Sequence, residues 1–357
     1  MKIKHIKIKN FKSIKEMNLE LRDINVLIGA NGAGKSNLIS FLKLLNHVIE
    51  GELQNYVRQS GGAYNLLYFG TKTSTHIEAE IDFSPNHYYC ELRPTEDDTL
   101  FFAKETVYFD TTYRYGERLG TGHKETNLFE KIRKGSGVAQ YVANAFKSWK
   151  VYHFHDTSST ARVKSPCDVN DNRFLRPDAS NLAAFLYRLQ QRNQDNFEQI
   201  EYTVRLIAPF FDRFKLEPLA LDESKIQLEW KHVGSDQYFN AHGLSDGTLR
   251  MICLSTLLLQ PNLPDTIIID EPELGLHPSA IQILASLIES ASLKTQTIIS
   301  TQSVTLINHF EPDDIVVVER ENHHSVFKRL DAESLSTWLE DYSLGEMWEK
   351  NIIGGRP

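Results

Sequence analysis

The sequence predicts an α/β fold around a parallel sheet, and three observations carry that expectation. The first is VLIGANGAGKSNLISFL, Val26 to Leu42, where an apolar strand enters a glycine-rich turn and leaves as an apolar helix. The second is TIIIDEPE, Thr266 to Glu273, a strand apolar on successive residues that ends in two acids. Such runs suit strands covered on both faces, as in parallel sheets. The third is the alternation of helical and strand patterns after residue 225: TLRMICLSTLLLQ, TIIID, SAIQILASLIESA, QTIIST and DIVVVE.

The earlier elements differ. MKIKHIKIKNF alternates Ile3, Ile6 and Ile8 with lysines, and MNLELRDINVLIG holds two further strands. A helix is expected over Ser36 to Val48, and HIEAEIDF and HYYCELRP alternate like antiparallel strands. Residues 96–224 change character. A charged, glycine-punctuated stretch, YRYGERLGTGHKE, precedes a helix around Val138 to Lys150, and NLAAFLYRLQQR and NFEQIEYTVRLIAPFF have helical spacing. Strands return with KIQLEWKHV. The expected division is an N-terminal lobe with antiparallel strands (1–95), a compact, mainly helical insert (96–224), and a C-terminal lobe with a tail (225–357). No internal repeat or low-complexity tract is present.

Composition bounds the function. The chain has 357 residues and 41% hydrophobic content, enough for one large domain or two. Its net charge of −8 gives no global basic field to draw it onto nucleic acid. Cys90, Cys167 and Cys253 are odd in number and far apart, which suits a reducing compartment and argues against a disulfide framework or paired-cysteine zinc site. The lysine-rich N-terminus lacks an apolar signal core, and no run approaches the roughly 20 apolar residues of a membrane span. The expectation is a soluble cytoplasmic protein without a membrane partner.

Gly29, Gly34, Lys35 and Ser36 fit G-x-x-x-x-G-K-[ST], the phosphate-binding loop. Glycines let the backbone approach a ligand and aim N–H groups inward, and the following helix adds its positive end. Lys35 is expected to reach the β- and γ-phosphates and Ser36 to give its hydroxyl to Mg²⁺. Asp270, at the end of the TIIID strand, is the second metal candidate, and Glu271 is placed to orient or deprotonate an attacking water. LSDG, Leu244 to Gly247, directly precedes an apolar helix. Ser245 or Asp246 suits an N-cap there, and an anion site at the same helix start is compatible with it.

In motif order and spacing the chain resembles the RecF/SMC/OLD-like branch of ABC-type ATPases. IKIKNFKSIKEMNLELRDINVLIGANGAGKSNLI is similar to that branch's start, LSDG to its signature, DEPELGLHP to its Walker B and D-loop, and STQS to its switch. The resemblance implies an ABC-type P-loop head that binds ATP and Mg²⁺. It places Lys12, Ser13, Asn31, Gly32, Ala33, Gly34, Lys35, Ser36 and Asn37 at the nucleotide, and Ser245 and Gly247 on the γ-phosphate of a second copy. A head-to-tail homodimer would bury two nucleotides, with Leu274 to His277 at its seam. Gln302 stands where transporters carry histidine, to sense γ-phosphate or orient water. Gln59 is a candidate for the Q-loop glutamine or a solvated polar residue.

Phosphate loop and signature lie 208 residues apart (244 − 36) without sustained heptads, which argues against an SMC arm. Only 37 residues follow Arg320 (357 − 320), too few for the Toprim domain of OLD-like nucleases. The resemblance is therefore to a stand-alone RecF-like ATPase, and two functions compete. One is a switch for a separately encoded effector, of anti-phage or toxin–antitoxin type. The other is a DNA-binding repair ATPase acting like RecF. A transporter subunit fits poorly, since transporter ATPases do not usually begin with an NFKSI strand.

Other candidates carry less. His153 and His155 would share a strand face, as a metal pair without a third ligand or as a polar strand near the nucleotide. His323 and His324 suit a hairpin turn. The first lysines, and Arg162, Lys164, Arg173 and Arg176 in one loop, could meet nucleic acid, a partner or solvent. The C-terminal stretch starts as an amphipathic helix, with Leu335, Trp338, Leu339 and Tyr342 at helical spacing. Met347, Trp348, Ile352 and Ile353 then form an apolar group that must fold back or bind something, and the expectation is that it docks onto a partner protein or across the dimer.

Overall fold

In the computed structural model, which describes residues 1–110 and 115–356, Ile6 and Ile8 of the first strand lie opposite Leu19 and Met17 of the second. Tyr113 and Arg114 of the YRYGERLGTGHKE stretch lie outside the described residues. In chain order the elements begin with β1 (His5–Phe11), β2 (Ile14–Glu20), β3 (Ile24–Ile28), α1 (Lys35–Glu50), α2 (Leu53–Gln59), β4 (Ile77–Asp82), β5 (Asn86–Pro94), β6 (Leu100–Phe109), β7 (Tyr115–Gly120), α3 (Leu128–Arg133), α4 (Gly137–Lys147) and β8 (Trp149–Tyr152). Next come β9 (Cys167–Asp168), α5 (Leu182–Arg192), α6 (Gln194–Ile207), β10 (Phe211–Lys215), β11 (Pro218–Leu219), β12 (Asp222–Ile226), β13 (Glu229–His232), β14 (Tyr238–Asn240) and α7 (Asp246–Leu259). The chain continues through β15 (Thr266–Asp270), α8 (Pro278–Ser292), β16 (Gln296–Ser300), α9 (Val304–Ile307), β17 (Ile315–Glu321), β18 (His324–Arg329), α10 (Ala332–Leu339) and α11 (Leu344–Glu349).

Two six-stranded sheets organise these elements. One is antiparallel, in the order β2-β1-β4-β5-β6-β7. The other runs β18-β17-β3-β16-β15-β8 and is parallel except at β18, an antiparallel edge. Successive residues of a strand point to opposite faces, and the parallel sheet feeds two apolar cores accordingly. Val26, Ile28, Ile267 and Ile269 pack with α5 to α8, while Leu27, Ile268, Ile298 and Val318 pack with α1 and the antiparallel sheet. Covering on both faces is why Ile267, Ile268 and Ile269 are apolar in succession before Asp270.

Helix α1 lies between the sheets. Leu38, Phe41, Leu42, Leu45, Val48 and Ile49 recur at helical spacing and are buried. Gly51, at φ 72°, ends it in the left-handed conformation, its N–H bonded to the last turn.

The expected insert, 96–224, does not stay together. Strands β6 and β7 extend the antiparallel sheet from β5, and β8 is the far edge of the parallel sheet. The boundary expected at residue 95 thus falls inside a continuous sheet. The reason is visible in LFFAKETVYF, whose Leu100, Phe102 and Val107 are buried in the core shared with α1 and the antiparallel sheet. The first lysines also meet acids within their own sheet: Lys7 reaches Glu80 at 3.3 Å, and Lys9 reaches Glu16 and Glu78 at 3.6 and 3.9 Å.

The tail differs most from expectation. Trp348 is 0% exposed and Met347 equally buried, against α9. Ser343 and Glu346 form a reciprocal capping box at the start of α11, and the Trp348 indole N–H donates to the Gly355 carbonyl. The apolar group therefore folds back as core. The amphipathic helix α10 does form, but Trp338 stays 46% exposed. Trp348→Ala is expected to cost about 3–5 kcal/mol and Trp338→Ala less than about 0.5 kcal/mol, read from chemical denaturation midpoints. Equal effects would place the tail outside the core.

Candidate functional site

The loop from Gly29 to Gly34 leaves the carboxyl end of β3 and enters α1. Gly29 and Gly34 have φ of 150° and 123°, and neither has room for a side chain. A Cβ on Gly29 would stand 2.1 Å from the Val318 carbonyl oxygen, and one on Gly34 2.1 Å from Ser325 Oγ. The loop thus lies directly on β17 and β18.

Lys35 folds beneath this loop. It is buried, and its ammonium donates to the carbonyls of Gly29 and Ala30. Burial lowers its pKa, against the raising effect of Glu271, Asp270 and Glu273. A buried cation facing carboxylates at the end of a positive-ended helix is poised to accept an anion. Ser36 is exposed at the start of α1.

Ser325, which the sequence did not single out, supports the loop. Asn37 Nδ2 donates to Ser13 Oγ at 2.6 Å, Ser13 and Ser325 hydroxyls meet at 2.6 Å, and Ser325 Oγ donates to the Ala33 carbonyl at 2.5 Å. Ser325's proton is committed to Ala33, so Ser13 donates to Ser325 and the chain runs one way, Asn37 to Ser13 to Ser325 to Ala33. Ser13 thus lies under the loop. Lys12 is held on Ser40 at 2.6 Å, with its pKa lowered by burial and then by Lys43.

Parallel pairing aligns the ends of β15 and β16, with Asp270 opposite Ser300. The Asp270 carboxylate accepts from the Ser300 hydroxyl. Glu271 adopts φ 41°, an uncommon conformation for a residue with a Cβ. Gln302 Nε2 donates to its Oε1 at 2.6 Å. Glu273 is a third acid that sequence reasoning passed over within DEPE. Its Oε1 accepts from Thr301 Oγ1 at 2.6 Å and from Gln302 N at 3.0 Å, and burial raises its pKa. Glu273 thereby fixes the backbone that carries Gln302.

Ser245, rather than Asp246, caps α7, accepting from Thr248 N at 3.2 Å. Gly247 packs so closely on the Leu274-to-His277 turn that a Cβ would lie 2.5 Å from the Gly275 carbonyl oxygen. The signature and that turn therefore form one surface, on which Leu274 is exposed. Buried Arg250, also missed, donates to the carbonyls of Phe154 and His155 at 3.0 and 3.3 Å. His153 and His155 follow the end of β8 instead of sharing its face, and His155 Nε2 lies 2.7 Å from the Asp270 carbonyl oxygen. Gln59 is exposed at the end of α2. Lys164 reaches Asp246 at 3.7 Å and Arg176 pairs with Asp171 at 2.5 Å, so the basic loop is partly neutralised. His323 lies in the β17–β18 turn at φ 68°.

An antiparallel sheet, a two-face-covered parallel sheet and this loop define an ABC-type ATPase head of the RecF/SMC/OLD-like branch. The chain belongs to the family described as "AAA domain, putative AbiEii toxin, Type IV TA system", whose model matches residues 24–308. It is 22% identical over 353 residues to Endonuclease GajA of Bacillus cereus (strain VD045), covering 89% of this chain and 58% of that protein. The chain thus spans a little over half the length of that relative. Among solved structures it is similar to an SMC head bound to the C-winged helix domain of ScpA (TM-score 0.57, 17% identity, 94% of this chain and 99% of that one). It is also similar to an Smc head with a coiled coil and joint derived from Pyrococcus yayanosii (TM-score 0.53, 12% identity, 95% and 99%). These likenesses show the fold. Among the described residues no helix is long and apolar enough to cross a membrane.

The hydroxyl chain beneath the loop makes a prediction. Ser325→Ala is expected to cost about 1–3 kcal/mol. Because Ser13 serves the same chain, Ser13→Ala combined with Ser325→Ala should cost less than the two single losses added, by about 0.5–3 kcal/mol in a double-mutant cycle. Strict additivity would contradict a single connected chain.

Proposed function

We propose that the protein binds and hydrolyses ATP with Mg²⁺, and that two copies pair head to tail around two nucleotides to switch a separately encoded effector. The observation that carries the reading is the Gln302–Glu271 hydrogen bond at the end of the sheet, beside a buried lysine under a glycine loop.

The donors present suit the implied groups. Lys35 exchanges two backbone carbonyls for phosphate oxygens, which removes the cost of its buried charge. Ser36 and Asp270 would hold Mg²⁺, whose charge offsets that of the phosphates. Gln302 binds Glu271 Oε1 and leaves Oε2 to accept a proton from water. The water oxygen then bonds to the γ-phosphorus as the bond to the β–γ bridging oxygen breaks, giving ADP and phosphate.

Exposure of Ser245 and Leu274 on one surface supports a role facing a second copy. The effector role rests on the family's description as part of a toxin–antitoxin system and on the relationship to an endonuclease longer than this chain. The net charge of −8 and the matched N-terminal lysines favour it over direct DNA repair.

Two substitutions separate binding from chemistry. Lys35→Ala is expected to weaken ATP binding, since the triphosphate loses its buried cation. Glu271→Gln should keep ATP binding and lower turnover by about 10²-fold or more, in the range for a positioned general base. ATP titration with a steady-state phosphate assay checks both. Wild-type turnover by Glu271→Gln would remove Glu271 as the base.

A further inference from the structure

Helix α1 ends in a corner about 20 Å along the helix from its phosphate-loop end. Gly51 N donates there to the Val48 carbonyl at 3.1 Å, and Glu52 N donates to the His47 carbonyl at 2.8 Å. This pair of bonds is a Schellman turn, closed by Gly51 in the left-handed conformation. Such a turn folds its last residue back beside the residue five earlier, and two apolar side chains commonly meet there. Here the two are Glu52 and His47, with Glu50 between them in sequence. One donor atom from each of the three, a ring nitrogen or a carboxylate oxygen, lies within 4.8 Å of the other two.

The corner carries uncompensated negative charge. Glu50 and Glu52 are exposed at the helix end that is already its negative pole, a position that suits cations. His47 is the basic residue of the last turn. Among the described residues no lysine or arginine pairs with either carboxylate. Glu125, a further acid at this corner, is committed elsewhere, since its oxygens accept from Leu53 N at 2.8 Å and Gln54 N at 3.1 Å.

His47 supplies the observation that points to a ligand. Its Nδ1 atom is buried, lies 3.6 Å from Glu52 Oε2, and has no hydrogen-bond partner among the described residues. That separation is too long for a hydrogen bond. It is close to the roughly 3.4 Å between two ligands of a tetrahedral ion with bonds of about 2.1 Å. The Tyr56 ring lies against the imidazole with centroids 5.1 Å apart, and Ser40 holds the Tyr56 hydroxyl, which limits how far the imidazole can turn.

We propose that His47, Glu50 and Glu52 bind a zinc ion that locks the end of α1 onto the turn into α2. An imidazole with two carboxylates suits Zn²⁺, and three protein ligands leave a fourth position to water. Mg²⁺ prefers an all-oxygen octahedral shell and is a poor match for the imidazole. The ion would neutralise the two carboxylates and satisfy Nδ1. The site is separate from Ser36 and Asp270, and the proposal is independent of the ATPase reading.

Equilibrium titration of the full chain with Zn²⁺ in a large excess of Mg²⁺, without nucleotide, tests it. The Mg²⁺ occupies oxygen-only sites, so the uptake of Zn²⁺ reads a site with an imidazole. The wild-type protein should take up about one Zn²⁺ per chain, with a dissociation constant of about 10 μM or tighter. His47→Ala should weaken binding by at least about tenfold, since losing a ligand costs no less than losing a group that merely orients one. Glu50→Gln keeps the shape of an exposed side chain and removes its charge. It should weaken binding about tenfold or more at an unchanged melting temperature. No uptake by the wild-type protein refutes the site. Uptake that survives either substitution at wild-type affinity refutes it as well, because the ion would then be held elsewhere or by fewer ligands.

Discussion

The close approach of the Gly29 turn to the Val318 carbonyl governs the rest of the molecule. A strand-to-helix loop carries backbone N–H groups that need an acceptor. Here the loop is pressed from below by β17 and β18 and from above by the tail, so its backbone cannot relax into an ordinary turn. Preorganisation of this kind avoids an ordering cost when an anion arrives. It is obtained by glycine at 29 and 34, by Ser325 under Ala33, and by a tail whose own glycines fit the remaining space.

The opposite wall is also held in place before any ligand arrives. Glu271 keeps a backbone conformation that costs energy for a residue with a side chain. That cost is offset by the Gln302 contact and by Glu273, which grips Thr301 and Gln302 from the buried side. His155 and Arg250 tie the segment after β8 to the same strand ends. The site is thus assembled from the ends of β3, β8, β15 and β16, where a parallel sheet brings distant residues together.

Much of this was legible in the chain, for physical reasons. The glycine–lysine loop and the TIIIDEPE strand are local patterns, and both formed where the sequence placed them, whereas the helix expected over Val138 to Lys150 stops at Lys147 and β8 begins at Trp149. Ser325 was not legible, because nothing in HHSVFKRL shows that a strand edge will lie beneath a loop almost three hundred residues earlier. Glu273 was hidden by its neighbours, since an acid after a strand reads as solvated until tertiary packing buries it. Trp348 misled for the converse reason. A tryptophan between glycines and charges has no helical partner in sequence, and its partners, the helix α9 beside α11 and the Gly355 carbonyl, come only from the fold. The division of 96–224 failed because strand pairing is non-local, and β7 lies within the charged, glycine-punctuated stretch YRYGERLGTGHKE.

Head-to-tail pairing driven by ATP is the claim on which the switch depends, and sedimentation velocity reads it directly. Glu271→Gln with Mg²⁺ and ATP should sediment as a dimer, and the same protein with Mg²⁺ and ADP as a monomer, with Ser245→Arg abolishing the ATP-bound dimer. Sedimentation that is identical with the two nucleotides, or a dimer that survives Ser245→Arg, would contradict a nucleotide held between two copies.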